Sequence, residues 1–178
     1  MMAKIAIFGS SYVSRLGRYC NFDLKIPGIV RFFGQGGMKA CDAIDSRKFS
    51  QLLDFSPDVV FMVIGGNDVS DTSIPSDIFK SIMEIISTLY SSGVKRVFIS
   101  EIIERGNFEK APGLTRERFN KQRKVINKKL KTACRDNFVM MKVKFPKDYD
   151  ENDFVHLNCD GLRAYFFRVR IILCSVKL

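Results

Sequence analysis

A chain of 178 residues, 46% of them hydrophobic, is large enough to fill one core, and 1–178 reads as a single domain with no repeat or linker. The longest apolar run, VVFMVIGG at 59–66, is strand-sized and excludes a membrane-spanning helix, while a net charge of +10 favours anionic partners. One histidine and five scattered cysteines without a CxxC pattern exclude the usual zinc sets, so neither metal nor cofactor is expected. Cys20, Cys41, Cys134, Cys159 and Cys174 suit reduced thiols, and MMAKIAIFGSS is too briefly apolar for a secretory signal. The expectation is a soluble, cytoplasmic protein.

Apolar runs and amphipathic stretches alternate from end to end. Residues 4–8 read as a strand closed by Gly9, and 12–21 are compatible with a helix. A second strand at 29–33 runs into GQGG at 34–37, and 38–53 has helical potential. Residues 59–64 read as a fully buried strand ending in Gly65-Gly66. Ile78, Ile82, Ile85, Ile86 and Leu89 fall on one helical face, with Pro75 near its start and Gly93 just past its end. A fourth strand at 94–102, a helix at 115–135 with a stripe of Phe119, Ile126, Leu130 and Ala133, and a fifth strand at 138–143 follow. The last helix carries Leu162, Tyr165, Phe166, Val169, Ile172 and Leu173 at helical spacing. Strands separated by helices predict an α/β fold: right-handed βαβ units forming a five-stranded parallel sheet inside a three-layer α/β/α sandwich. In such sheets functional groups collect at the carboxyl ends of the strands.

Four such ends carry chemistry. They hold Gly9-Ser10-Ser11, Gly36-Gly37, Gly66-Asn67-Asp68 and, before the last helix, Asp153-Phe154-Val155-His156. Singly each has a plainer explanation: a helix cap for Ser11, a tight turn for the glycines, a left-handed turn position for Asn67. Together they supply a nucleophile, oxyanion donors, a base and a carboxylate three residues before that base, which are the parts of an acyl-transfer site. No GKS/GKT or GxGxxG follows the first strand, which argues against nucleotide binding.

These blocks, FGSS (8–11), GQGGM (34–38), GGND (65–68) and DFVH (153–156), resemble in kind and order those of the SGNH (GDSL-type) hydrolase family. The resemblance spans the chain from first strand to last helix and implies that family's flavodoxin-like sandwich. It implies Ser11 as nucleophile, His156 as base and Asp153 as its orienting carboxylate. The oxyanion hole would be the amides of Ser11 and Gly37 and the side chain of Asn67, with Gly36 the alternative glycine register. The family's usual aspartate before the nucleophile is Ser10 here, so that charge is missing. The stretches 104–130 and 153–170 also resemble the esterase-type domain of some retrotransposons, which implies an intracellular, element-encoded protein. The implied activity is ester hydrolysis through an acyl-serine, on an acetyl, other acyl or lipid-like ester. The alternative is a weak or inactive relative that binds RNA or anionic partners through its basic segment.

That segment is sharply bounded. Residues 110–147 hold 13 Lys and Arg against only Glu117 and Asp136, an excess of 11, so the remainder sums to −1. The helix at 115–135 contributes Arg116, Arg118, Lys121, Arg123, Lys124, Lys128, Lys129, Lys131 and Arg135, most of them expected to be solvated. With only Phe119 available for stacking, contact with nucleic acid or an anionic membrane surface is expected to be non-specific and salt-sensitive.

Overall fold

In the computed structural model, which describes residues 2–176, the first strand is buried from Ile5 onward, the third is apolar at every position, and both lie inside the sheet. Strands β1 (Lys4–Gly9), β2 (Ile29–Gly34), β3 (Val59–Val63), β4 (Arg96–Ser100) and β5 (Phe138–Val139) pair in parallel in the order β2-β1-β3-β4-β5. Strand side chains point alternately to opposite faces. Ile5, Ile7, Val59, Phe61 and Phe98 meet helices α1 (Ser11–Tyr19) and α6 (Cys159–Cys174). Ala6, Phe8, Val60, Met62 and Ile99 meet α3 (Arg47–Phe55), α4 (Pro75–Ser91) and α5 (Arg116–Cys134) on the other face. The expected three-layer sandwich is present.

Several boundaries differ from the sequence reading. The helix expected over 38–53 is two, a short α2 (Ala40–Ala43) and α3, because Ser46 interrupts it. The Ser46 hydroxyl donates to the Ala43 carbonyl (2.7 Å) and accepts from the Phe49 N–H (3.1 Å), closing one helix and capping the next. The strand expected over 94–102 pairs only from Arg96 to Ser100. Beyond it, Asn127 of α5 takes both backbone groups of Ile102, at 2.9 Å each, and removes them from the ladder. The fifth strand is only Phe138–Val139, because the Glu101 carboxylate takes the Met141 N–H (2.7 Å) where a ladder bond would continue. Ala133, assigned to the apolar stripe of α5, is exposed, and Gln122 and Arg123 are buried there instead.

Strand order reverses between β1 and β3: the chain leaves β1 for β2 on one side and returns to β3 on the other. A crevice opens at such a switch point, outside the carboxyl ends of the two strands. Ser11 follows β1, and Asn67 follows β3.

Candidate active site

Ser11 is placed by the backbone before it. Gly9 has φ +147°, and a Cβ there would lie 1.9 Å from the Val63 carbonyl oxygen, so only glycine lets β1 end against β3. The Ser10 N–H then donates to that carbonyl (3.0 Å), and Ser11 begins α1, where its own N–H has no acceptor within the helix. Ser10 is buried and its side chain makes no capping bond to α1.

His156 arrives from the far end of the chain. Its loop is pinned before α6: Asp150 N–H donates to the His156 carbonyl (2.9 Å), and Asn158 caps α6 by accepting from Gly161 N–H (2.9 Å). The Asn158 amide also donates to the carbonyls of Lys147 (2.8 Å) and Tyr149 (3.1 Å). Within this frame Asp153 Oδ1 accepts from the N–H groups of Val155 (2.8 Å) and His156 (2.9 Å), and Oδ2 lies 2.6 Å from His156 Nδ1. Burial raises the Asp153 pKa, but the hydrogen bonds from the His156 ring, its N–H and that of Val155 outweigh it and bring the carboxyl down to about 2. An ionised Asp153 keeps the ring proton on Nδ1, so Nε2 is the acceptor for Ser11 Oγ, 3.2 Å away.

The two remaining loops are tied to each other and to this corner. Gln35 N–H donates to the Gly9 carbonyl (2.9 Å), and Met38 N–H to the Gln35 carbonyl (3.3 Å), closing a turn in which Gly37 takes φ +73°. Asn67 Nδ2 donates one proton to the Met38 carbonyl (3.1 Å), and the side chain lines the same crevice as Ser11. Gly36 and Gly37 are exposed and do not line that crevice. The structure thus brings Ser11, His156, Asp153 and Asn67 to one corner, with the glycine turn roped to Asn67.

Two contributors escaped the sequence reading. Asp68 accepts from Ala40 N–H at both carboxylate oxygens (2.9 Å each) and from Cys41 N–H (3.3 Å), so it fixes the α2 end of the glycine loop; burial raises its pKa. The ND pair in GGND was its only signal. Tyr12 donates to the Val155 carbonyl, stacks on Tyr165 (6.5 Å, 12°) and stands 6.0 Å from the His156 ring, buttressing the histidine loop from α1. Nothing in the spacing of the sequence distinguishes that tyrosine from an ordinary core aromatic.

A serine, a histidine and a carboxylate in hydrogen-bonded series, at the switch point of a doubly wound parallel sheet, form an arrangement of the kind that serine hydrolases use. Residues 8–164 match the model of the GDSL-like lipase/acylhydrolase family, and the chain belongs to that family, a carboxylic ester hydrolase by class. Solved structures share the fold at low identity. A GDSL-like lipase from Bacteroides thetaiotaomicron is 16% identical, with 98% of this chain and 89% of that one covered and a TM-score of 0.76. For a lipase/acylhydrolase from Enterococcus faecalis the values are 19%, 98%, 96% and 0.69. For an acetylxylan esterase from Geobacillus stearothermophilus they are 17%, 95%, 94% and 0.65. Sequence comparison with curated proteins finds no match.

Proposed function

We propose that the protein hydrolyses a short acyl ester through an acyl-enzyme on Ser11. The observation that carries this reading is the unbroken series from Ser11 Oγ to His156 Nε2 and from His156 Nδ1 to Asp153. Ser11 Oγ attacks the ester carbonyl carbon while His156 Nε2 takes its proton. The oxyanion of the tetrahedral adduct receives the N–H of Ser11, the N–H of Gly37 and the second amide proton of Asn67. The adduct collapses, the carbon–oxygen bond to the alcohol breaks, and His156 returns the proton to the departing alkoxide. Water, deprotonated by the same nitrogen, releases the acid and restores Ser11. Asp153 keeps the imidazole oriented and stabilises its cationic form.

The crevice at Ser11 has a volume of only about 40 Å³, which supports the short-acyl end of the range and not an enclosed lipid tail. Among the described residues no helix is long and apolar enough to cross a membrane. A fluorophosphonate probe tests the reading: the intact protein is expected to be labelled at Ser11 and nowhere else, and an unlabelled Ser11 overturns it.

A second role has its own support. Arg116, Arg118, Lys121, Lys124, Lys128, Lys129 and Lys131 are exposed on α5 and Arg135 just past its end, a face suited to the phosphates of nucleic acid or of an anionic membrane. Arg123 is the exception. It is buried and holds the Ile102 carbonyl (3.2 Å) and Glu104 (3.2 Å).

A further inference from the structure

The crevice beside Ser11 is lined by a cation that no carboxylate among the described residues pairs with. Arg105 lies in the β4–α5 connection with its guanidinium 5.2 Å from the ring centre of Phe108 and 4.8 Å from that of Phe119. Its Nε is buried with no hydrogen-bond acceptor, and no Asp or Glu stands within ion-pair distance among the described residues. Its neighbours in sequence behave differently: Arg116 and Arg123 both reach Glu104, at 3.3 and 3.2 Å. Burial lowers the Arg105 pKa, as expected of a charge held partly away from water.

The same crevice holds a second buried polar group. The hydroxyl of Tyr165 is buried beside the Ser100 hydroxyl, and that Oγ is turned to the Glu101 carbonyl (3.3 Å). Both Arg105 and Tyr165 line the crevice with Ser11 and Asn67, and Ile64, Ile102 and Ile103 supply apolar wall. Buried polar atoms are paired almost without exception, and buried charges are neutralised. An unpaired guanidinium N–H on a crevice beside a nucleophile, with a buried hydroxyl on the same crevice, marks the place of an acceptor that the described residues do not provide.

We propose that Arg105 is a specificity-determining residue that receives a carboxylate on the substrate, with Tyr165 as second donor. The substrate class is then the half-ester of a short dicarboxylic acid. The inference rests on Ser11 being the nucleophile. A crevice of about 40 Å³ admits roughly three water-sized groups, about the size of a carboxylate group. The guanidinium fork matches a planar carboxylate, and the isoleucine wall suits the methylenes. A neutral acyl chain of the same length leaves the guanidinium desolvated and unpaired, which is how a polar site rejects an apolar analogue.

The test compares monoethyl succinate with ethyl butyrate, matched in acyl length, by titrating the acid released. The wild-type protein is expected to favour monoethyl succinate in kcat/KM by at least about tenfold, and Arg105→Met to reduce that ratio by roughly 10- to 100-fold. Arg105→Lys keeps part of the preference, and Tyr165→Phe reduces it less than Arg105→Met does. A wild-type preference for ethyl butyrate overturns the proposal, as does an Arg105→Met variant that loses both activities in proportion. The wild-type ratio needs no variant, so a misfolded Arg105→Met does not protect the idea. If Ser11 reacts with a fluorophosphonate but the carboxylate brings no preference, only this inference fails. If Ser11 does not react, the hydrolase reading fails with it.

Discussion

Both ring nitrogens of His156 are committed, one to Asp153 and one to Ser11, so neither end of the series functions without the middle. Ser11→Ala and His156→Ala are each expected to lower kcat by roughly 10³-fold or more, and the double variant to be little worse than either single one. Additive losses in 4-nitrophenyl acetate turnover would show that the two residues do not act as a unit. Asp153 has a consequence for stability as well. Its carboxyl titrates at about 2 in the folded chain, below the roughly 3.9 of an unfolded aspartate, so its contribution is full above pH 4. That contribution is lost as the pH falls toward 2. Asp153→Asn is therefore expected to melt below wild type at pH 7, with the two melting curves converging between about pH 4 and pH 2. A constant gap across that window would mean that the carboxylate's charge does not matter. Ser11, Asn67, Asp153 and His156 were all legible because their chemistry and order repeat a known pattern. Arg105 and Tyr12 were not, because their significance lies in which neighbours they lack or touch across the fold.

At the scale of elements, the end of β1 is the most constrained joint. The Val63 carbonyl occupies the space where any side chain at residue 9 would begin. Gly9→Ala is expected to cost about 3 kcal/mol through overpacking and an unfavourable φ, lowering Tm by roughly 6–12 °C. A thermal melt within 2 °C of wild type would show that β1 and β3 can part there without loss. The strands and most helices were readable because apolar runs and helical stripes carry distinct periods. The misread ends share one cause. Ser46, Asn127 and Glu101 each divert backbone groups by side-chain hydrogen bonds, and periodicity is blind to that competition. Arg123 is the same lesson in α5: a charged residue in a charged run, yet buried because it has a carbonyl and a carboxylate to hold.

For the molecule as a whole, charge is segregated from chemistry. The buried side of α5 reaches the crevice through Phe119, while its outer side is predominantly basic. Reversing Lys124, Lys128 and Lys131 to glutamate is expected to weaken binding to single-stranded RNA and to reduce the log–log salt slope by about 2. Turnover of a soluble ester should not follow, since none of the three lines the crevice. If wild-type protein binds neither RNA nor anionic vesicles at about 50 mM salt, this face serves solvation alone.

The bond from Ser11 to His156 spans 145 positions of sequence. At a synthesis rate of about 5–20 residues per second, the proposed base emerges roughly 7–30 s after the proposed nucleophile. With Ser11 and His156 in those roles, a nascent chain is chemically silent throughout that interval. Turnover is then expected only when α6 docks against α1 and carries the histidine loop into place. During refolding from denaturant, recovery of ester hydrolysis should therefore lag behind the far-UV signal of the sheet and helices. The enzyme's own reaction serves as a clock for the last step of its assembly.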